Sequence, residues 1–263
     1  MRQAYAVTWR SRTVLGVPAG LAVALLVLPL LALLLRADWG RVLPDLASET
    51  AAPALRLSLV TTTSTAVLCV VLGTPLAWLL ARSDHVVTQW LRALLTVPLV
   101  LPPVVGGVAL LMTWGRQGLL GSQLAGFGIQ IPFTTVAVVL AETFVSMPYY
   151  VLAVEGAMRG LDQRLESVAR TLGASDLRYL RTVALPLVAP GIASGLALAW
   201  ARALGEFGGT ITFAGSFPGR TQTAPLAVYA ALEQDPQVAI SISIALLLVS
   251  VLVLGLLRGR WLR

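Results

Sequence analysis

Long apolar runs dominate the chain, and short polar stretches separate them. A helix that crosses a hydrocarbon core of roughly 30 Å needs about 20 mostly apolar residues. Six stretches meet or approach that length: Val14 to Leu35, Leu57 to Leu80, Leu91 to Trp114, Phe133 to Val154, Leu187 to Leu204 and Val238 to Leu257. Membrane-crossing strands are shorter and alternate in polarity, so the pattern predicts an all-α membrane protein with six transmembrane helices in a single domain spanning residues 1–263. The first run exceeds the 7 to 15 apolar residues of a secretory leader and is followed by Arg36 rather than a small-residue cleavage site, so it reads as a span.

One polar stretch breaks the rhythm. Glu155 to Leu185 is too polar to cross a bilayer, yet Leu161, Leu165, Val168 and Leu172 recur at helical spacing, with Asp162, Arg164, Glu166 and Arg170 elsewhere around the helix. Gly173 supplies a residue that ends such a helix with positive φ. Ser175 or Asp176 caps a second short helix with Leu177 and Leu180 on one side, and Pro186 opens the next span. An amphipathic helix of this kind has two physical readings. It lies on lipid headgroups, or its apolar stripe inserts into a groove on a partner protein.

Composition narrows the function. Only 12% of the 263 residues are charged, 57% are apolar, and the mean hydropathy is +0.83. A soluble domain carries roughly a quarter charged residues. The 19 basic residues are all Arg, which excludes a P-loop lysine and a Schiff-base lysine. One Cys (Cys69) and one His (His85) exclude an internal disulfide and argue against a zinc cluster. No catalytic and no metal residues are assigned. The net charge of +7 sits between apolar runs rather than on a soluble face, which points to the lipid bilayer and not to nucleic acid. With the N-terminus inside, thirteen Arg fall on the cytoplasmic side and six on the other, so both termini are expected in the cytoplasm. The inner tally draws on Arg2, Arg10, Arg12, Arg82, Arg92, Arg159 and the four further Arg of the polar loop, together with Arg258, Arg260 and Arg263.

From Gly173, nine residues lead to Val183, Ala184, Leu185 and Pro186, and Ser167, Val168 and Ala169 stand three residues ahead of that glycine. This resembles the EAA signature of the membrane subunits of ATP-binding-cassette (ABC) importers, in which Glu-Ala-Ala, three residues, Gly, nine residues and Ile-x-Leu-Pro mark the loop that docks on the ATPase. Ser167 stands where the family has Glu, and Glu166 lies one residue early. The run from Ala203 through Gly205, Glu206, Phe207, Gly208, Gly209 and Thr210 to Gly215, continuing through Pro218 to Thr223, is similar to the end of the fifth helix and the next outer loop of molybdate permease subunits. Pro98 to Pro103 with Gly106 and Gly107 is similar to their third helix. Sulfate permease subunits share the core around Glu206, which leaves a sulfate or thiosulfate importer as the alternative.

The resemblance implies a type I ABC importer permease fold, in which two copies of this chain form a homodimer that moves molybdate, or tungstate, by alternating access. It implies two ATPase subunits, which hold ATP and Mg where this chain binds no cofactor, and an external substrate-binding protein. The site is a bacterial or archaeal cytoplasmic membrane, and the chain is a transport subunit rather than an enzyme. It assigns coupling to Leu165, Glu166, Ser167, Val168, Ala169, Arg170, Leu172, Gly173, Ala174, Leu185 and Pro186 within residues 155–186. Pro102, Pro103, Gly205, Glu206, Phe207, Gly208 and Thr210 are assigned to the pathway or gate.

Single residues carry alternatives. Glu142, near the middle of the fourth run, costs about 2.5 to 3.5 kcal/mol if exposed to lipid, so it faces other helices or water, as helix glue or as an ion-coupling group. With Glu206 it leaves open a proton-coupled secondary transporter. Arg202 and Arg220 steer a dianion on the outer side or are surface arginines. The hydroxyls from Thr61 to Thr65 pass an oxyanion along or let helices pack closely. Pro98, Pro102 and Pro103 make a gate or a fixed kink in the third helix.

Overall fold

A computed structural model describes residues 9–261, all of whose regular elements are helical. Arg2 and Arg263 of the charge tally lie outside the described residues, as do the side chains of Arg10, Arg12, Arg258 and Arg260. In chain order the helices are α1 (Trp9–Leu35), α2 (Trp39–Leu46), α3 (Ala51–Ala81), α4 (Val86–Val100), α5 (Pro103–Trp114), α6 (Gly121–Gly126) and α7 (Thr135–Arg159). There follow α8 (Gln163–Thr171), α9 (Asp176–Tyr179), a π-helical turn (Leu180–Ala184), α10 (Leu185–Leu204), α11 (Gly208–Phe213), α12 (Ala224–Gln234) and α13 (Pro236–Trp261). Backbone in hydrocarbon must satisfy its own hydrogen bonds, and the apolar runs do so as helices.

Among the described residues five helical segments are long and apolar enough to cross a membrane, and a sixth if α4 and α5 count as one span. The third predicted span is thus not a single rod. Leu101 is extended, Pro102 and Pro103 offer no N–H, and α4 and α5 meet at 118°. The expected break before Pro186 is absent as well: helix runs from Asp176 to Leu204. The π turn lies just ahead of Pro186, so the proline falls in the first turn of α10, where its missing N–H is tolerated.

Three helices make the centre. α3 turns Ala54, Ser58, Thr61, Thr65, Cys69, Gly73, Ala77 and Leu80 inward, a stripe of mostly small residues at helical spacing, and packs on α7, which in turn packs on α10. Tyr150, Val151, Val154, Val188 and Ala199 fill one core cluster with Leu80. A second joins α5, α7 and α11 through Leu110, Ala141 and Phe213, and a third joins α3, α12 and α13 through Ala54, Ala227 and Ile242. One end of the bundle carries the polar loop with α8 and α9; the far end carries α2, α6, α11 and α12.

Candidate functional site

Two sites emerge, one at each end. At the loop end, Asp162 accepts a hydrogen bond from the Arg164 amide and caps α8, so the helix starts only at Gln163. Leu161 therefore precedes it and packs against the core, and the helical part of the predicted stripe shortens to Leu165 and Val168, with Leu172 at the C-cap. Gly173 adopts φ +80°, the conformation that ends the helix, with the Ala174 amide bonding back to Ala169. Ser175, not Asp176, caps α9 by accepting from the Arg178 amide. Leu177 is exposed while Leu180 packs on the core, so the two do not share an environment.

Val168 and Leu172 are exposed at 57% and 82% among the described residues. The opposite face of α8, two residues or about 200° away, is polar. There Glu166 accepts from Arg170 at 2.9 Å and pairs with Arg82 of the turn after α3. Arg170 also reaches Asp176 at 3.2 Å, tying α8 to α9. Ser167 and Ala169 lie between these faces, and Leu185 packs on the core beyond the π turn. The apolar positions of α8 thus stay exposed while its polar face is tied to the bundle.

Toward the far end the two stretches assigned to the pathway come together. Gly205, Glu206 and Phe207 are the non-helical backbone between α10 and α11. Gly208 passes so close to Pro103 that an added Cβ would lie 2.8 Å from the Pro103 Cβ. Glu206 is 2% exposed; its Oε1 accepts from the Gly209 amide at 2.7 Å, and its Oε2 pairs with Arg202 at 2.7 Å. Arg202 is thus engaged by its own carboxylate one helical turn on, which leaves Arg220 as the exposed cation of the pair considered for steering. Phe207 packs on Tyr229 with ring centroids 5.4 Å apart. Thr210 is fully buried. Pro102 and Pro103, both exposed, form the elbow against which α11 rests.

Glu142, 1% exposed, accepts from Thr61 at 2.8 Å and Thr65 at 3.0 Å. Those two hydroxyls glue α3 to α7. Thr62 and Ser64 bond back to their own helix, so the run does not form one continuous polar track. His85 caps α4, its Nδ1 accepting from the Val87 amide.

Two groups went unread in the sequence. Trp78 and Tyr179 pack on each other, and Arg82 lies against both, its guanidinium carbon 4.2 Å and 5.9 Å from their ring centroids. Buried Glu155 binds both Arg92 and Arg159, at 2.8 Å and 3.0 Å. Glu155 and Arg159 are four apart on one helix, a spacing that could have flagged the pair; Arg82 and Arg92 had counted only toward orientation.

Comparison with known proteins gives this architecture a family. Residues 73–260 match the model described as "Binding-protein-dependent transport system inner membrane component". The chain is 48% identical over 236 residues to a molybdenum transport system permease protein of Mycobacterium bovis, covering 90% of this chain and 89% of that one. It is 42% identical to an Escherichia coli protein of the same description, covering 71% and 82%. In fold it is similar to a chain of a bacterial alginate ABC transporter crystallised with a pentasaccharide-bound periplasmic protein, with a TM-score of 0.72, 12% identity and 95% of each chain covered. A multi-pass helical bundle, a permease description on its relatives and a family match over most of its length lead to one conclusion: the chain belongs to the inner membrane components of binding-protein-dependent transport systems.

Proposed function

We propose that this chain is the permease subunit of an ATP-driven molybdate importer, with tungstate as a chemically close second substrate. The observation that carries the substrate is the 48% identity to a molybdenum permease over nine-tenths of the chain. Two copies line the pathway as a homodimer in the inner membrane, both termini face the cytoplasm, and an external binding protein delivers the oxyanion. Two ATPase subunits, which hold ATP and Mg, dock on residues 155–186. The exposed Val168 and Leu172 support that assignment, because they offer an apolar stripe for a groove on the partner.

The chain itself performs no covalent chemistry. Nucleotide acts on it only by preferring one arrangement of the paired loops, and that preference is transmitted to the bundle. Closing the ATPase dimer draws the two α8 helices together and tilts the spans toward the outward-facing state; hydrolysis resets them. The elbow at Pro102 and Pro103 against Gly208, latched by Glu206 on the Gly209 amide, is the gate in this reading.

The test is uptake of labelled molybdate into liposomes holding this chain, its ATPase and its binding protein, with excess sulfate present. ATP-dependent uptake that resists sulfate is expected. Uptake abolished by sulfate would assign the sulfate-type substrate, and uptake driven by a pH gradient without ATP would overturn the ABC assignment.

A further inference from the structure

The docking loop is joined to the bundle in two ways. One is covalent, through α9 and the π turn into α10. The other is a set of side chains that fasten α8 to α3. Arg82, the C-cap of α3, pairs with Glu166 on α8 and lies over the ring of Trp78 of α3 and beside that of Tyr179 of α9, the two rings packing 6.1 Å apart. Glu166 takes a second guanidinium from Arg170, which also binds Asp176. The two helices flanking Gly173 are thereby clamped to one point on α3.

That point is itself anchored. The Leu80 carbonyl, near the C-terminus of α3, accepts from Arg92 at 3.0 Å and from Arg159 at 3.1 Å. Both arginines share the buried carboxylate of Glu155, and Arg159 also binds Asp84. Two cations at a helix C-terminus complement its dipole and satisfy a carbonyl the helix leaves open. The ends of α3, α4 and α7 are therefore one charged hub. Arg82 extends the hub to α8.

We infer that Glu166 is a positioning residue of the docking loop: through Arg82 it locks α8 to the end of α3, so that the loop and the α3–α4–α7 hub move as one body. The inference rests on the docking role proposed for the loop and adds the route by which motion leaves it. It also accounts for the acidic residue standing one position early. On α8, Glu166 is about 200° from Val168, so its carboxylate turns back to its own bundle while the apolar face remains free. A carboxylate at position 167 would lie about 100° from each face and would be less well aimed at Arg82.

The variants are Glu166→Gln, Arg82→Gln and the exchange of Arg82→Glu with Glu166→Arg, each assembled with ATPase and binding protein in liposomes. Each single variant is expected to retain the ATPase but to lose about fivefold in molybdate taken up per ATP hydrolysed, and the exchange to recover most of it, as coupling within a charged pair requires. Release of the ATPase by Glu166→Gln would mean that the carboxylate touches the partner, and unchanged uptake per ATP, or no recovery by the exchange, would equally overturn the inference. A second measurement holds whether or not the loop docks. Spin labels on Leu79→Cys and Arg164→Cys in a Cys69→Ala background, within the assembled complex, are expected to give a narrow distance distribution that broadens with Glu166→Gln. A distribution left narrow by Glu166→Gln sinks the tether without touching the docking role. Retention of the ATPase by Leu172→Asp removes the docking role without touching the tether.

Discussion

The spans α1 and α7 differ in an instructive way. α1 is the more apolar of the two, yet none of its residues Leu15–Leu35 is buried, whereas more than half of the comparable window of α7 is. α7 carries Glu142, Thr143, Ser146, Pro148 and Glu155 among its buried positions, residues that a soluble core would seldom accept together. In hydrocarbon, leucine gains nothing by leaving lipid, so helices associate through close packing and interhelical hydrogen bonds. The polar and small residues mark the protein-facing spans, and the apolar stretch Leu15–Leu35 of α1 stays largely exposed. Gly73 and Gly107 sit at such close approaches, while Gly20 of α1 has open space around it.

The largest effect expected from this contrast is at Gly107. A Cβ there would overlap the Thr212 side chain and lie 2.8 Å from the Gly209 carbonyl, so Gly107→Val should prevent α11 from seating on α5 and abolish recovery of monodisperse protein from detergent. Next, Glu142→Ala removes the carboxyl that bridges Thr61 and Thr65, leaving their hydroxyls only the longer contacts to the Ser58 and Val139 carbonyls at 3.2 and 3.3 Å, and is expected to cost about 1–3 kcal/mol in a reversible unfolding assay, with Glu142→Gln costing less. Equal tolerance of alanine and glutamine would break the view that this carboxyl is interhelical glue.

Smaller still is the effect of acid at the far end. The Arg41 guanidinium, followed by the Gln237 amide, holds the Asp235 carboxyl below its ordinary range. A carboxylate depressed in the folded state stabilises above its unfolded pKa and loses that contribution as pH falls through the lower, folded value. Thermal stability should thus decline modestly below about pH 4, and Asp235→Asn should flatten that part of the profile. At the bottom of the order, Gly20→Val should shift stability by less than about 0.5 kcal/mol. A clear loss there would place the Gly20 face of α1 against protein and end its contrast with α7.

How far the sequence revealed these features depended on distance along the chain. Gly173 acts within a turn of its own position, so the end of α8 was legible from local spacing, whereas Asp162, which the spacing places on the polar face of the helix, instead caps its start. The apolar runs located the spans for the same reason: each run has to satisfy its own backbone. The 118° elbow was legible only as an interruption at Pro102 and Pro103, because its angle depends on α5 meeting α11 about a hundred residues later. Arg202 and Glu206, one turn apart, are within reach of a local rule, but in the sequence they read separately, as a steering cation and a gate residue. Arg82 and Glu166, 84 positions apart, meet only once α3 and α8 have been packed at the same end. The charged hub around Glu155 is of that second kind, apart from its own i, i+4 pair.

In the function proposed above, the exposed stripe of α8 is where an ATPase engages the permease. The direct measurement is co-purification of the ATPase with the Leu172→Asp chain from membranes, beside ATP-driven molybdate uptake by the same preparation. The expected result is a chain inserted at wild-type level, with the ATPase lost and uptake reduced to background. An ATPase retained in full together with unchanged uptake would contradict it.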